Sequence, residues 1–276
     1  MRHYVFGGGT AIVTGAASGI GEALAHGLAA RGSHLVLLDR DADRLAEVAM
    51  AIRARHPPVE VDAVVVDLAD REATARAGRQ LAASHPQTTL LINNAGVAMV
   101  GRFDQLTLEE FEWVIDINFR AVVTLTHLLL PVLRSHSGSH LANLSSIYGI
   151  VAPPGQTAYC ASKFAVRGFT EALRSELAVD NVGVTCVLPG GIATRIATTA
   201  RTASGVSESD AAKGRARANR IMTIPPSTAA AVILRGVELR RPRVLIGWTA
   251  RVPDLLARVA PTAHGTLLAK VFARSR

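Results

Sequence analysis

A chain of 276 residues, 49 % of them hydrophobic and without repeats, linkers or low-complexity tracts, is long enough to bury the core of one large α/β domain. Its two cysteines, Cys160 and Cys186, exclude a disulfide framework. The apolar run 121–133, broken by Thr, His and Pro, is too short to cross a bilayer, and residues 1–6 lack the apolar core of a secretory signal, so the cytoplasm is the expected compartment.

Hydrophobic periodicity predicts strands near 10–14, 34–39, 61–66, 89–92, 139–145, 182–188 and 243–246. Helices are predicted near 19–31, 41–55, 70–84, 107–134, 156–179 and 226–240, and in pieces from 252 to 273. Strands alternating with helices predict a parallel sheet covered on both faces. The first strand, β-branched and apolar, runs through Gly15, Gly19 and Gly21 into a helix. That context suits a dinucleotide: glycine lets the backbone turn tightly and approach a pyrophosphate held at the helix N-terminus. The spacing is neither Gly-x-Gly-x-x-Gly nor a P-loop. The second strand ends in Asp39, placed to accept hydrogen bonds from an adenosine ribose, and the third ends in Asp67. Each carboxylate could instead cap the helix that follows. Asp39 would repel a 2′-phosphate, so NAD(H) is expected, with NADP(H) the alternative because Arg40 offers a guanidinium to that phosphate.

The run Leu141–Leu144 reads as a buried strand ending near Ser146. Thirteen residues after that serine, Tyr159 and Lys163 stand at i and i+4 of a helical stretch, so phenol and ammonium share a face. A phenol titrates near ~10 unaided. A neighbouring cation lowers that value toward the range where acid–base work is efficient at neutral pH, and the Ser146 hydroxyl is placed to bond a carbonyl or alcohol oxygen. Only three of the thirty basic residues are lysine, and Lys163 is one of them. The bland alternative for Tyr159 is a packed helix residue, and Cys160 beside it reads as packing rather than as a nucleophile. Phe111, Leu125, Leu129, Phe164 and Phe169 give the long helices extra apolar positions, for a sister subunit or for the core. His136 and His140 have ligand-like spacing, but Ser-Gly-Ser intervenes and no carboxylate accompanies them, so no metal is expected.

Residues 191–224 are small, polar and weakly periodic, the composition of a substrate lid. Residues 191–276 carry a formal +11 and residues 1–190 a formal −3. Within 250–276, Val252, Leu255, Leu256 and Val259 form one apolar stripe and Leu267, Leu268, Val271 and Phe272 another, flanked by Arg251, Arg258, Lys270, Arg274 and Arg276. Basic amphipathic helices of this kind pack on the domain or a sister subunit, which is the expectation here, or lie on an anionic membrane. No aromatic residues interleave with this charge, so nucleic acid is not an expected partner.

Taken together, Thr14-Gly15-x-x-x-Gly19-x-Gly21, Asp67-Leu68, Asn93-Asn94-Ala95-Gly96, Asn118, Ser146, Tyr159-x-x-x-Lys163 and Pro189-Gly190 resemble the short-chain dehydrogenase/reductase family in order and spacing. The resemblance is specific over 8–195 and looser beyond. It implies a single-domain, Rossmann-type, doubly wound α/β fold around a seven-stranded parallel sheet. It implies that Gly15, Ser18, Gly19, Ile20 and Gly21 form the pyrophosphate turn, that Asp39 meets the ribose and that Asp67 and Leu68 meet the adenine. Asn94, Ala95 and Gly96 would line the cofactor, and Pro189, Gly190, Ile192 and Thr194 its nicotinamide end. Ser146, with Gly149 at the family's interval after it, is implied as the catalytic serine in preference to Ser145, and Tyr159 as the acid/base. Lys163 would be its electrostatic partner and a ribose ligand, and Asn118 would hold a water in the proton relay. The implied activity is hydride transfer between a nicotinamide cofactor and a secondary alcohol or ketone, in a homodimer or homotetramer. Met99, Val100, Val151, Pro153, Pro154 and Ile192 point to an uncharged, lipophilic substrate of steroid, terpenoid or lipid type. The alternative is a non-catalytic nucleotide-binding regulator on the same fold.

Overall fold

A computed structural model describes residues 3–212, 214, 222–263 and 265. Seven parallel strands form the central sheet in the order β3-β2-β1-β4-β6-β7-β9. They are β1 (Thr10–Thr14), β2 (His34–Asp39), β3 (Val61–Val65), β4 (Thr88–Asn93), β6 (His140–Leu144), β7 (Gly183–Pro189) and β9 (Arg243–Ile246). Successive strands add outward from β1 to β3, then the order reverses through β4. That reversal opens a crevice beyond the carboxyl ends of β1 and β4, where open α/β sheets bind ligands. All five residues of β1 are buried, as a strand covered on both faces requires.

Helices α1 (Gly19–Ala29), α2 (Ala42–Arg55) and α8 (Pro226–Glu238) cover one face, with Leu24, Leu28, Leu45, Ile52 and Ile233 fully buried. On the other, α3 (Arg71–Ser84), α5 (Ala121–Ser135) and α6 (Thr157–Glu176) bury Leu81, Leu125, Leu129, Leu133 and Leu173. Each fully buried leucine contributes about 1.5–3 kcal/mol relative to exposure. Leu125 and Leu129 therefore belong to the chain's own core, whereas Phe164 stays 42 % exposed.

The single helix predicted over 107–134 is interrupted. Helix α4 (Leu108–Ile115) passes through a π turn, Asp116–Arg120, before α5 begins. Read through that turn, Leu108–Ser135 is one helix long and apolar enough to cross a membrane, which the broken run 121–133 does not suggest. Its inward side chains pack beneath the sheet, as a core helix requires.

Residues 213 and 215–221 of the predicted lid lie outside the described residues, and residues 191–212 are more ordered than their composition predicts. They contain α7 (Arg195–Thr198) and β8 (Arg201–Thr202), which pairs in parallel with β5 (Met99–Val100). Helix α9 (Trp248–Val259) starts four residues before the predicted 252, directly after Gly247 at φ +81°. Of the predicted stripe, Leu256 is half-buried, whereas Val252, Leu255 and Val259 do not pack on the domain within this chain and are 49–69 % exposed. The second stripe, Leu267 to Phe272, lies outside the described residues.

Candidate active site

The glycine turn joins β1 to α1. Gly15 and Gly19 adopt φ +67° and +60°, values that side chains disfavour. A Cβ on Gly15 would stand 2.8 Å from the Ala95 Cα, and one on Gly21 would collide with the Gly15 carbonyl. Asn94 fastens this turn to the end of β4, its Nδ2 donating to the carbonyls of Thr14 (2.9 Å) and Gly15 (3.1 Å). Thr14 Oγ1 accepts from the backbone of Asn94 and Ala95 at 3.0 Å each. Asp41, Asp70 and Thr107 cap α2, α3 and α4 with their side chains, whereas Ser18 at the head of α1 makes no such bond. A glycine-lined helix N-terminus without a side-chain cap fits a pyrophosphate.

Asp39 and Asp67 do not cap the helices after them, because Asp41 and Asp70 do. Asp39 instead accepts from Ala17 N (3.0 Å) and Asp41 N (3.1 Å), which holds the carboxylate beside the glycine turn. Asp67 Oδ1 accepts from Ala69 N at 2.9 Å, just after Leu68, which is buried. Arg40 is exposed.

Ser146 follows β6 and opens a 3-10 turn, Ile147–Gly149, its hydroxyl accepting from Tyr148 N at 3.1 Å. Gly149 has no room for a side chain, since a Cβ there would lie 2.7 Å from the Lys163 carbonyl. The turn thus lies flat on α6 and brings Ser146 against Tyr159. Tyr148 meets the Tyr159 ring edge-on at 6.0 Å. Lys163 is 3 % exposed, its Nζ 5.7 Å from the Tyr159 ring centre and donating to Leu144 O at 2.9 Å. Gly96 adjoins it, for a Cβ there would sit 3.2 Å from that Nζ and 3.3 Å from Asn118 Oδ1.

The electrostatics depart from the sequence expectation. Burial pushes the Tyr159 phenol up to about 12, opposed by its hydrogen bond with Ser146, and Lys163 is not among the groups that shift it. Burial likewise lowers Lys163 to about 8. In this state desolvation outweighs the cation's pull on the phenol.

Asn118 lies in the π turn and is fully buried. Its Oδ1 accepts from Val97 N at 2.8 Å, while Nδ2 donates to Val97 O and to Ser162 Oγ, both at 3.0 Å. Ser162 Oγ donates in turn to Tyr159 O at 2.7 Å. The asparagine side chain therefore ties the loop after β4 to the backbone carrying Tyr159. Ser162 escapes sequence reasoning, and Thr14 enters it only as the first residue of the glycine motif; a polar residue three positions after Tyr159, on the inward face of a helix, is the signal for Ser162. Ser145, set aside in favour of Ser146, donates to Lys163 O at 2.8 Å and braces α6.

At the nicotinamide end of the implied site, Thr194 approaches Gly19, with its Cγ2 3.1 Å from a Cβ built there. Gly190 lies against Thr249, and Ile192 bridges to Ile224. Met99 is buried with Val114, Ala158 and Ala203 beneath the small sheet, and Val151 with Ile147, Ile150 and Leu188 beside the Ser146 turn. Both cysteines are free and buried. His136 Nε2 donates to Pro86 O and His140 Nε2 bonds Thr185 Oγ1, so these histidines point to separate partners. A groove of about 570 Å3 between α1 and α8, with Gly19 at its edge, contains none of Ser146, Tyr159 or Lys163.

Comparison with known proteins agrees with this fold. Residues 9–205 match a family model described as short chain dehydrogenase. The chain is 39 % identical over 271 residues to SadH of Mycobacterium tuberculosis, named as an oxidoreductase, covering 98 % of this chain and 97 % of the relative. It is 32 % identical to dehydrogenase/reductase SDR family member 7B of Xenopus laevis, covering 93 % of this chain and 80 % of that one. Among solved structures, a short-chain dehydrogenase/reductase of Burkholderia phymatum in complex with NAD superposes with TM-score 0.83 at 26 % identity, over 93 % of this chain and 95 % of that one. A short-chain dehydrogenase of Sphingobium yanoikuyae in complex with NADPH gives 0.76 at 28 %, over 92 % and 94 %.

Proposed function

Since the chain belongs to the short-chain dehydrogenase/reductase family and is an oxidoreductase, we propose that it interconverts an uncharged, lipophilic secondary alcohol and its ketone, with Tyr159 as the acid/base. The observation that carries this reading is the convergence of Ser146, Tyr159 and Lys163 beside Gly96, at the carboxyl edge of the sheet next to the glycine turn.

Gly15, Ser18, Gly19, Ile20 and Gly21 would hold the pyrophosphate of a nicotinamide dinucleotide, Asp39 its adenosine ribose, and Asp67 and Leu68 its adenine. Asn94, Ala95 and Gly96 would flank the cofactor, with Pro189, Gly190, Ile192 and Thr194 around its nicotinamide. When bound, that cofactor supplies or accepts the hydride. Ser146 bonds the substrate oxygen and orients it toward Tyr159. The phenol gives its proton to that oxygen in reduction, and the phenolate takes it in oxidation. Lys163 holds a cation close to the phenol and donates to the ribose. Asn118 fixes the loop after β4 and α6 in register and, through its backbone, holds the water that relays protons from Lys163. Residues 191–224 close over the substrate, with 201–202 secured to the rim through β5. The exposed ring of Phe164 on α6 favours a homodimer or homotetramer that covers it.

NAD(H) is the proposed cofactor. Asp39 is fastened beside the turn by two backbone amides, where its charge opposes a 2′-phosphate. Comparative dissociation constants test this: tighter NADPH than NADH binding by the wild type overturns it. The apolar clusters under the Ser146 turn and the small sheet support the substrate class. A turnover screen across hydrophobic and charged alcohols and ketones tests that class, and a charged substrate turned over best defeats it.

A further inference from the structure

Helix α9 has two faces. Ala250, Asp254 and Ala257 point inward, with Ala250 fully buried and Asp254 6 % exposed. Ala250 and Ala257 pack on the cluster formed by Ile147, Ile150 and Leu188 directly behind the Ser146 turn, while Asp254 is bonded to Arg243. Trp248, Val252, Leu255 and Val259 point the other way and are 71 %, 49 %, 60 % and 69 % exposed. At ~100° per residue these four fall within an arc of about 60°, nearly opposite the inward face. Arg251 and Arg258 run along one flank of that arc, both exposed. Arg258 is paired to Asp254, whereas no partner is seen for the Arg251 guanidinium among the described residues.

Four large apolar side chains on one exposed helix face, with a tryptophan at its end, are unusual on a water-facing surface. The exposed cations on the flank, Arg251 and Arg258, indicate what covers them. The excess of the whole chain resides in residues 191–276, at a formal +11, while the rest is at −3. A second copy of the chain would bring its own Arg251 and Arg258 to this face, whereas an anionic bilayer offers both an apolar interior and opposite charge. We propose that α9 docks this protein peripherally on anionic membranes, with Trp248, Val252, Leu255 and Val259 entering the interface and Arg251 meeting lipid headgroups. Because the inner face of the same helix braces the Ser146 turn, docking sets the candidate active site against the bilayer, where a lipid-dissolved substrate enters. The docking itself does not depend on the substrate assignment.

The full chain is sedimented with vesicles of equimolar phosphatidylglycerol and phosphatidylcholine and with phosphatidylcholine alone. Binding is expected to the anionic vesicles only, weakened by salt, with a blue shift of tryptophan emission that Trp248→Phe removes. Leu255→Glu should weaken binding roughly tenfold or more, since it removes one buried apolar side chain and adds a repelled charge. Arg251→Glu should weaken it by a smaller factor, and both variants should retain turnover of a water-soluble alcohol. Absence of wild-type binding to anionic vesicles overturns the proposal, as does equal binding by wild type and Leu255→Glu. A mass that falls to a smaller oligomer in Leu255→Glu, without vesicle binding by the wild type, assigns the face to a second copy instead.

Discussion

Lys163 and Tyr159 are both moved away from their charged forms by burial, the lysine down to about 8 and the phenol up to about 12. A cofactor-free protein should therefore hold Tyr159 fully protonated at pH 9. The ultraviolet difference between wild type and Tyr159→Phe tests this, and a phenolate band from Tyr159 at that pH contradicts it. Alcohol oxidation needs phenolate and should accelerate as pH rises, whereas ketone reduction needs phenol and should not. The spacing of Ser146, Tyr159 and Lys163 is legible in sequence because helix geometry places i and i+4 together. The sign of the phenol shift is not, since it depends on how much of the chain packs around the ring. Thr14 bonds to residues 80 and 81 positions away and Asn118 to Ser162, 44 away. No local pattern encodes such pairs.

Among the elements, α9 depends on one buried carboxylate. Asp254 Oδ1 accepts from Arg243 Nη2 of β9 at 2.6 Å, and Oδ2 is ion-paired with Arg258 Nε at 3.1 Å. Asp254→Ala strands the mostly buried Arg243 and should cost about 2–4 kcal/mol in urea unfolding, less than for a fully buried pair because Arg258 stays solvated. Arg258→Ala should cost less than about 1 kcal/mol. Equal effects of the two would show that Asp254 does not carry the helix. The seven strands of the central sheet were legible to within a residue or two because apolar, β-branched runs mark them, whereas the two-residue β5 and β8 were not. The π turn was not legible, because α4 and α5 share one apolar periodicity across it and the side-chain bonds of Asn118 and Asp116 reach residues distant in sequence. The start of α9 at Trp248 was missed because its first turn places its large apolar residue outward.

At the scale of the whole molecule, His140 couples stability to acid. It is fully buried in β6, bonded to Thr185, and burial lowers its pKa to about 3 from 6.5. Its folded pKa lies below the unfolded one, so its contribution is fully present above about pH 6.5 and is lost as pH falls toward 3. The loss is on the order of a few kcal/mol. Between pH 7 and 4, His140→Gln should lose less unfolding free energy than wild type; parallel losses would refute this assignment. The seven-stranded sheet and its order follow from strand–helix alternation, which leaves few topologies open. The polarity of the charge was equally plain in the sequence, while the exposed apolar face within the basic segment became visible only once α9 was seen to turn Val252, Leu255 and Val259 outward. The central claim is that this fold carries out acid–base chemistry through one phenol. Turnover and cofactor affinity of Tyr159→Phe, measured together on an authentic secondary alcohol, test it most directly. The account predicts a loss of roughly 10²–10⁴-fold in turnover with cofactor binding nearly unchanged; turnover close to the wild-type rate would contradict it.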